Sequence, residues 1–399
     1  MRLQAASTGP DVYSEGRGRK VRFTHLNLDN WRNFLHVNVE LQRRVFLVGP
    51  NASGKSNVLD ALRFLRDIAD PQGGGLQAAV AKRGGVSQVR SLHARRNPNV
   101  GIEVSLDLNG AGGLWRYRLE FSQDNQRTPR VSAERVWQGS QIILDRPDRE
   151  DREDPSRLTQ THLQQVNANK RFRQVAEALA QIRYLHLVPQ LVREPDRSVG
   201  RVRDPFGGDF LEQLARTPKK TLEARLRRIK DALRVAVPQL EELTLDRDTA
   251  TGVPHLRGLF RHWRPNAGWQ SEEQFSDGTL RLLGLLWVFL DGSAPLLLEE
   301  PELSLHAEVV RYIPQIMAGL NRRSSRQVIV SSHSWQLLSD EGIAPEEVLL
   351  LRPSPEGTTI EHAGAIQEVR ALIEGGASMA EAVLPRTAPA GLEQLGLFE

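Results

Sequence analysis

Apolar residues in the first part of the chain change from a continuous run to a helical spacing. Residues 45–48 are all apolar, which is typical of a short strand buried on both faces of a parallel sheet. Val58, Leu62 and Leu65 then recur three or four positions apart, which predicts a helix. A buried strand followed by a helix is the unit of α/β sheets, so this region predicts an α/β fold.

Residues 100–121 follow the two-residue period of strands instead. Apolar residues alternate there with mostly polar or small residues, and Gly110, Gly112 and Gly113 separate the two halves. The alternating apolar positions are Val100, Ile102, Val104, Leu106, Leu108, Trp115, Tyr117, Leu119 and Phe121. The pattern predicts a β-hairpin with one buried face, which suits an antiparallel sheet.

The middle of the chain is more charged and has the pattern of helices. A charged stretch at residues 146–155 comes first, and further on two predicted helices are separated near Pro218. We interpret residues 146–240 as a helical lid inserted between two lobes. Leu185, Leu187 and Val188 predict a buried strand within this block, but their sequence indicates no mechanism for it.

The predicted lid also carries a set of basic residues. They are Lys219, Lys220, Arg225, Arg227, Arg228, Lys230 and Arg234. A nucleic-acid-binding face and a solvated helix face both fit this composition, and the solvated face is the simpler interpretation. Trp263 likewise has two interpretations, a residue that stacks on a base or, more simply, a packed aromatic.

Further apolar runs complete the organisation of the chain. Residues 296–298 and 328–330 predict buried strands, and residues 280–286 are apolar nearly all round, which predicts a buried helix. The chain accordingly divides into a flexible N-terminal tail (1–20), a first lobe (21–145), the lid (146–240), a second lobe (241–355) and a C-terminal extension (356–399).

Composition limits the class of protein. The chain has 399 residues and no cysteine, which excludes disulfides and cysteine-ligated zinc or iron–sulfur clusters. The net charge of +4 does not by itself predict a nucleic-acid partner. The N-terminus has no apolar signal core, and the run at residues 282–290 is too short to span a bilayer. We therefore expect a cytoplasmic protein with no membrane partner.

Residues 49–56, Gly-Pro-Asn-Ala-Ser-Gly-Lys-Ser, match the phosphate-binding loop of P-loop NTPases in sequence and in context. The loop lies between the predicted strand and helix, so its N–H groups and the positive helix end face the phosphates. Lys55 is expected to reach the β- and γ-phosphates, and Ser56 to bind Mg²⁺. The predicted ATP-binding residues here are Gly49, Pro50, Asn51, Ala52, Ser53, Gly54, Lys55, Ser56 and Asn57.

Two adjacent carboxylates end the apolar run at residues 296–298. Glu299 stands where a strand-end carboxylate commonly holds Mg²⁺, and Glu300 where a base would polarise the attacking water. Carboxylates at the end of a buried strand are costly unless they have a function. A solvated acidic turn is the alternative, because Pro301 and Glu302 follow.

Four stretches together resemble the ABC-type ATPases of the SMC, RecF and OLD branch. Residues 275–279, Phe-Ser-Asp-Gly-Thr, look like the signature motif, residues 299–306 look like the Walker B and D-loop, and His333 matches the switch histidine. Residues 30–34, Asn-Trp-Arg-Asn-Phe, are similar to the strand and turn before the phosphate loop. The chain most resembles stand-alone OLD-like ATPases labelled as AAA family, many of which belong to anti-phage defence operons.

The resemblance implies a P-loop NTPase with an ABC-type head, in which a mixed central sheet is joined by an antiparallel subsheet. It implies that Ser276 and Gly278 contact the γ-phosphate bound by the other subunit, and that His333 senses that phosphate. Arg32 and Asn33 are candidates for contact with the nucleotide. The predicted lid is too short, and lacks the heptads, for the long coiled coil of SMC proteins.

Three positions depart from the family pattern. Glu299 replaces the more usual aspartate, so the contact with the metal is expected to be less direct. Gln88 is a candidate for the metal-contacting glutamine of the family's Q-loop, and a polar loop residue is an equal alternative. His306 stands where transporter cassettes tend to carry the D-loop aspartate.

These residues predict an ATPase that works as a homodimer. ATP lies on the phosphate loop of one chain, Ser276 of the other chain completes the site, and Ser56 with Glu299 holds Mg²⁺. Catalysis is assigned to Lys55, Glu300 and His333. No Toprim domain and no nuclease constellation are recognised in the sequence, so we expect a separate effector, a nuclease or a toxin, in defence against phage.

Three other functions remain open. A DNA-repair or chromosome factor of RecF type would bind duplex DNA across the dimer. The nucleotide-binding subunit of a membrane transporter fits the motifs, but the insertion and the form of the D-loop argue against it. A scaffold with a slow ATPase would respond to ATP mainly by assembling.

Overall fold

The computed structural model describes residues 21–94, 97–108, 113–194, 204, 206–264 and 268–388. The predicted tail, residues 1–20, and the last part of the predicted C-terminal extension, residues 389–399, lie outside the described residues. The strands are β1 (Arg22–Trp31), β2 (Phe34–Glu40), β3 (Arg44–Val48), β4 (Val100–Asp107), β5 (Leu114–Gln123), β6 (Pro129–Gln138), β7 (Gln141–Arg146), β8 (Arg183–Leu185), β9 (Leu240–Arg247), β10 (Pro254–Phe260), β11 (Trp269–Ser271), β12 (Leu296–Glu299), β13 (Val328–Ser332), β14 (Val348–Ser354) and β15 (Gly357–His362). The helices are α1 (Lys55–Ala69), α2 (Leu76–Ala81), α3 (Val86–Val89), α4 (Arg149–Glu153), α5 (Arg173–Ala180), α6 (Pro189–Arg193), α7 (Phe210–Arg216), α8 (Lys219–Ala236), α9 (Asp277–Leu290), α10 (Ala307–Arg311), α11 (Ile313–Ser324), α12 (Trp335–Leu338), α13 (Gln367–Glu374) and α14 (Met379–Val383).

The sheet that carries the phosphate loop is mixed. In the described part of the chain its order is β15-β14-β3-β13-β12-β8, and only β15 runs antiparallel to its neighbour. β3 is buried on both faces, with Val45 and Leu47 in one core and Phe46 and Val48 in another. Because the carboxyl ends of parallel strands meet at one edge, the segments that follow β3, β12 and β13 converge there.

An antiparallel sheet, in the order β2-β1-β4-β5-β6-β7, forms the second layer. The predicted hairpin is confirmed by β4 and β5, in which Leu106 lies opposite Trp115. Its turn includes residues 109–112, which lie outside the described residues. Helix α1 packs on this sheet through Phe64, whose ring lies 5.3 Å from those of Trp31 and Phe121. The helix that follows the phosphate loop is thereby fixed by aromatic packing.

The structure divides residues 146–240, predicted as one helical lid, between three regions. Helix α5 packs on α1 in the core that contains Val45 and Leu47, and β8 joins the central sheet beside β12. Helices α6, α7 and α8 form a third core with α9 and with a small sheet in the order β11-β10-β9. This unit extends beyond residue 240, because the apolar face of α8 is buried against β9. The insertion therefore contains strands as well as helices.

The predicted fold class, an α/β P-loop architecture with a mixed central sheet and an antiparallel subsheet, is confirmed. Continuous burial of β3 on both faces explains the central layer, and one-sided burial of β4 and β5 explains the antiparallel layer. Among the described residues, none of the helices is both long and apolar enough to cross a membrane.

A buried cluster of charges, which we call the Arg146 network, ties the antiparallel sheet to the segment that follows it. The guanidinium of Arg146 is fully buried and forms two hydrogen bonds to Asp151, at 2.7 and 2.8 Å. It donates another hydrogen bond of 2.9 Å to Glu134. Glu134 in turn accepts from the Tyr117 hydroxyl and from the backbone N–H groups of residues 162 and 163. Such a paired and fully bonded cluster fixes one arrangement of these segments.

Candidate nucleotide-binding site

The conformation of the phosphate loop requires glycine at two positions. A Cβ atom on Gly49 would lie 2.8 Å from the carbonyl oxygen of Leu351, closer than atoms can approach without a shift. Gly54 has φ of +97°, in the left-handed region that favours glycine, and directly precedes α1. The loop therefore delivers the N-terminus of α1 to the carboxyl edge of the central sheet, where a helix end favours anions.

Lys55 lies across the loop that precedes it. Its Nζ donates hydrogen bonds to the carbonyl oxygens of Gly49, at 2.8 Å, and Pro50, at 3.0 Å. Burial lowers the pKa of Lys55, while the carboxylates that follow β12 act in the opposite direction. A desolvated ammonium surrounded by loop oxygens is suited to an anion that arrives at the loop.

Asn33 supports the loop from the side of β1 and β2. Its amide donates to the carbonyl oxygen of Ser53 and to the hydroxyl of Thr358, each at 2.8 Å. The amide oxygen accepts from Asn57 at 2.7 Å. A Cβ on Gly54 would overlap this amide, at 2.3 Å. The hydrogen bonds of Asn33 thus go to the loop and its surroundings, which makes it a brace for the predicted nucleotide-binding residues.

Arg32 occupies a cleft beside the loop. It has φ of +51°, and its guanidinium donates to Asp60 at 2.9 Å. Burial alone would raise the pKa of Asp60, but Arg83, Arg63 and Arg32 outweigh it and hold that pKa below its usual value. The cleft measures about 840 Å³, and it is also lined by Ser56 and Glu299. Arg32 therefore lies near the predicted metal site, but its charge is already paired.

The structure joins the two predicted Mg²⁺ ligands. The Ser56 hydroxyl donates to Oε1 of Glu299 at 2.6 Å, although the two residues are 243 positions apart in the chain. Mg²⁺ prefers hard oxygen ligands and usually takes one or two from the protein, with waters and phosphate oxygens completing its shell. In the described part of the chain no cluster of three or more His, Asp or Glu side chains offers another metal site. A hydroxyl next to a carboxylate at the phosphate loop fits the ion.

Tyr184, a residue that the sequence did not single out, completes the surroundings of Glu299. Its hydroxyl donates to Oε2 of Glu299, and the guanidinium of Arg63 lies 4.1 Å from its ring centre. Burial, reinforced by the charge of Glu299, raises the pKa of the Tyr184 hydroxyl, so the hydroxyl stays a donor. Only the pairing of β8 with β12 brings this side chain to the site, and no local motif marks it.

Glu300 and His333, the predicted base and switch residue, are neighbours. The Nδ1 atom of His333 lies 3.4 Å from Oε1 of Glu300. Glu300 has φ of +43°, an uncommon conformation for a residue with a side chain, and its N–H donates to Ser331 at 3.0 Å. The strand ends of β12 and β13 therefore present both side chains at the same edge.

Glu302 links these strand ends, and the sequence did not predict this role. One carboxylate oxygen accepts from the Ser332 hydroxyl, at 2.6 Å, and from the N–H of His333, at 3.3 Å. The other oxygen is buried and has no hydrogen-bond partner in the described part of the chain. Burial raises the pKa of Glu302, against the opposing effect of its hydrogen bonds. The carboxyl group therefore positions the backbone from which His333, the predicted switch residue, extends.

The predicted signature residues lie against the turn that follows β12 and contains Ser304. Ser276 is exposed and caps α9, accepting from the N–H of Thr279 at 3.2 Å. A Cβ on Gly278 would lie 2.6 Å from the carbonyl oxygen of Ser304, so the close approach requires glycine. Arg193 also holds this segment, donating to the Phe275 carbonyl at 2.7 Å. The signature thus packs on the turn after β12 and presents its cap to solvent.

Gln88 lies apart from these contacts. It belongs to the short helix α3, and its side chain is exposed. It is not among the residues that line the cleft with Ser56 and Glu299. The neighbouring Val89 instead receives a hydrogen bond from the N–H of Arg32, at 2.7 Å. The structure therefore brings α3, but not the Gln88 side chain, to the vicinity of the loop.

Comparison with protein families identifies residues 44–340 as a match to the family described as "AAA domain, putative AbiEii toxin, Type IV TA system". The match spans well over half of the chain and includes the phosphate loop and the ends of β12 and β13. The chain therefore belongs to this family of AAA-type P-loop ATPase domains. No curated protein matches the chain.

Solved structures with a similar fold include heads of SMC proteins. An SMC head bound to the C-terminal winged-helix domain of ScpA has 14% sequence identity and a TM-score of 0.54, and the match covers 85% of this chain and 97% of that one. An SMC head domain with an extended coiled coil, bound to the C-terminal domain of ScpA derived from Pyrococcus furiosus, has 12% identity and a TM-score of 0.53, covering 89% and 100%. At this identity the likeness shows the fold, that of an SMC-type ATPase head.

Proposed function

We propose that this AAA-family chain hydrolyses ATP as a homodimer and that the ATP cycle controls a separate effector protein. The observation that carries the proposal is the hydrogen bond of 2.6 Å between Ser56 and Glu299. It places a carboxylate from β12 against the first turn of the helix after the phosphate loop, where a P-loop ATPase requires its metal ligands.

Each side chain at the carboxyl edge of the central sheet has its own role in the proposed reaction. The loop N–H groups and Lys55 bind the phosphates, and Ser56 with Glu299 would hold Mg²⁺, which neutralises charge on the phosphate oxygens. Glu300 orients a water and accepts its proton, since its carboxylate is partly exposed and lies 3.4 Å from His333. The backbone of His333 is held by Glu302, which accepts a hydrogen bond from its N–H at 3.3 Å.

The position of the predicted signature supports the proposed dimer. The contacts of Ser276 and Gly278 are to α9 and to the turn at Ser304, and the Ser276 cap is exposed. A helix N-terminus of this kind favours an anion, and the phosphate loop of a second chain supplies one when ATP is bound. We infer that ATP joins the two chains, with Mg²⁺ and the catalytic residues contributed by one chain and the signature by the other.

The effector and its biological setting are inferred from the family. The matched family carries the description of an AbiEii-type toxin of a type IV toxin–antitoxin system, which supports a role in defence against phage. We propose that the effector, a nuclease or a toxin, is a separate chain that responds to the ATP-driven change of the dimer. Two states that differ by a few kcal/mol are enough for such control.

The test combines phosphate release with native mass measurement on the wild-type chain, Lys55→Ala and Glu300→Gln. We expect wild type to hydrolyse ATP and dimerise with it, and Lys55→Ala to do neither. Glu300→Gln should remain an ATP-bound dimer, with hydrolysis reduced by about 10²-fold or more, since it keeps the shape but loses the base. Hydrolysis by Glu300→Gln at the wild-type rate contradicts the role of Glu300.

The effector is tested by purifying the chain from cells that co-express its chromosomal neighbours, with and without ATP. A complex whose mass includes a second protein supports control of an effector. A chain that only dimerises, and binds duplex DNA across the dimer in an ATP-dependent way, favours the repair-type function instead. Metal-dependent DNA cleavage by the purified chain alone would overturn the separate effector.

A further inference from the structure

We propose that α8, together with Trp263, is a binding surface for a nucleic acid that has an unpaired strand. The surface lies on the inserted unit, and none of its residues lines the cleft with Ser56 and Glu299 or belongs to the residues assigned to ATP hydrolysis. Its partner is recognised by phosphate groups along the helix and by a base against the indole.

Positive charge is concentrated on α8 to a degree that the composition of the chain conceals. The helix carries seven of the 53 basic residues and only two of the 49 acidic ones, so the rest of the chain has no net positive charge. A basic stripe on one helix is the electrostatic feature that attracts a polyanion. The modest net charge of the whole protein therefore reflects one strongly basic helix on a nearly neutral body.

Four basic residues on the outer face of α8 have no carboxylate partner among the residues that the structure describes. Lys220, Arg227 and Arg234 are seven residues apart, so they form a line along one side of the helix with a spacing of about 10.5 Å. All three are exposed, and none has a carboxylate within ion-pair distance among the described residues; the same holds for Arg228. Paired charges gain little from a new anion, whereas unpaired ones are available for phosphate.

The acidic residues of the helix are already engaged elsewhere. Glu223 lies 4.0 Å from Lys219, and Asp231 lies 3.7 Å from Lys230. Arg225 points to the body of the protein, where it donates to Asp291 at 3.0 Å. The helix thus separates its ion-paired residues from an unpaired cationic line.

The line of charges is rigidly presented. Leu226, Ile229 and Leu233 are buried on the inner face of α8, in the third core with β9 and β10. A helix fixed in this way does not have to be ordered when a partner binds, which favours affinity. The backbone positions of Lys220, Arg227 and Arg234 are therefore held at a constant spacing.

An exposed aromatic residue stands at the same end of the unit as Arg234. The N–H of Arg261, at the end of β10, donates to the carbonyl oxygen of Gln239, three residues after α8, at 2.7 Å. Trp263 follows two positions later and is 78% exposed, with the guanidinium of Arg264 4.4 Å from its ring centre. A large apolar ring in water is unusual for a packing residue and is suited to stacking on an unpaired base.

Charge and aromaticity together favour a nucleic acid over an acidic protein. An acidic peptide would satisfy the cations but gives no reason for an exposed indole flanked by arginine. A single strand or a duplex with an unpaired end supplies both phosphates and a free base. The acidic protein remains an outcome that the experiment can return.

The experiment measures fluorescence anisotropy of labelled oligothymidylate, and of a duplex of equal length, with the full chain over a range of salt concentrations. In the variant Lys220→Ala/Arg227→Ala/Arg234→Ala we expect affinity for both probes to fall at least about tenfold. The slope of log affinity against log salt should fall by about two to three. The control Arg135→Ala/Arg149→Ala/Arg171→Ala removes the same number of charges from the segment that runs from β6 to α5, outside α8. It should bind like wild type.

The indole is tested separately. Trp263→Ala should weaken binding of the single strand by about 5- to 100-fold and leave the duplex largely unaffected, while Trp263→Phe should retain most of the affinity. ATP hydrolysis by all these variants should stay at the wild-type level, which distinguishes failure of this surface from failure of the ATPase. No binding by wild type, equal loss in the control, or displacement of DNA by polyglutamate at equal charge concentration would each overturn the proposal, the last in favour of an acidic protein.

Discussion

Two buried groups of polar side chains in this protein are built in opposite ways. In the Arg146 network the guanidinium bonds both oxygens of Asp151, and the oxygens of Glu134 accept from Arg146, Tyr117 and two backbone N–H groups. At the ends of β12 and β13, by contrast, Glu302 and Ser331 each keep a buried oxygen that has no partner among the described residues. The same holds for the hydroxyl of Ser53 in the phosphate loop.

The difference reflects what each region has to do. A buried polar group without a partner costs about 1–3 kcal/mol, and the Arg146 network avoids this cost because its guanidinium and both of its carboxylates are hydrogen-bonded. At the nucleotide site the chain accepts that cost at Ser53, Ser331 and Glu302, and burial lowers the pKa of Lys55. Stability and function are thus separated in space, and mutations should separate them too.

The largest expected effect on stability is that of breaking the Arg146 network. Arg146→Met leaves Glu134 and Asp151 buried without their counter-ion, and we expect a loss of about 3–5 kcal/mol in the free energy of unfolding. Denaturant unfolding measures it. Arg135→Met, on the preceding strand, removes an ion pair with Asp145 whose side chains are 40% and 56% exposed, and it should cost no more than about 1 kcal/mol. Equal losses in the two variants would contradict the comparison.

The next effect is the acid sensitivity of the same network. The hydrogen bonds and charge of Arg146 outweigh burial and hold the pKa of Asp151 at about 2, against an ordinary value of 3.8. A lowered pKa stabilises the fold above pH 3.8, by about 2 kcal/mol, and this contribution is lost as the pH falls toward 2. The stability advantage of wild type over Asp151→Asn should therefore shrink between pH 6 and pH 3, and a constant difference would refute the assignment.

The smallest effect on stability is expected for Glu302, which follows β12 at the candidate nucleotide-binding site. Glu302→Gln keeps an oxygen for Ser332 and for the N–H of His333, so its unfolding free energy at pH 7 should lie within about 1 kcal/mol of wild type. Because burial raises the pKa of Glu302, wild type loses stability as the pH rises above 4.5 through that raised pKa. This part of the pH dependence should be absent in Glu302→Gln. A pH profile identical to that of wild type would show that Glu302 is not the group responsible.

Comparing kcat of Glu302→Gln and Glu302→Ala tests whether the hydrogen bond that Glu302 accepts from the N–H of His333 matters for ATP hydrolysis. Glu302→Ala removes the acceptor that holds the backbone of His333, so kcat should fall while the KM for ATP stays near that of wild type. Glu302→Gln should recover most of the lost rate. A matched fall in both variants would mean that the negative charge, and not the hydrogen bond to His333, is what matters.

Some parts of this protein follow from the sequence alone because they are local. The loop of residues 49–54 and the start of α1 depend on neighbouring residues, two of which are glycines that the backbone needs. The strands β3, β4, β5, β12 and β13 follow from apolar runs or alternation over a few residues. The carboxylates at the end of β12 were likewise recognisable from their position alone.

Other parts were decided only by tertiary structure, because they depend on contacts between distant segments. The hydrogen bond between Ser56 and Glu299 requires β3, β13 and β12 to pair in that order. The buried strand predicted from Leu185, Leu187 and Val188 came with no indication of which strand would lie beside it. The pairing of β8 with β12, and with it the position of Tyr184 at the site, was therefore decided only by tertiary structure. The end of the inserted unit beyond residue 240 was not predicted either, because it also depends on contacts between separate segments. The apolar face of α8 is satisfied by strands that begin four residues after the helix ends, and burial of that face, not periodicity, set the boundary.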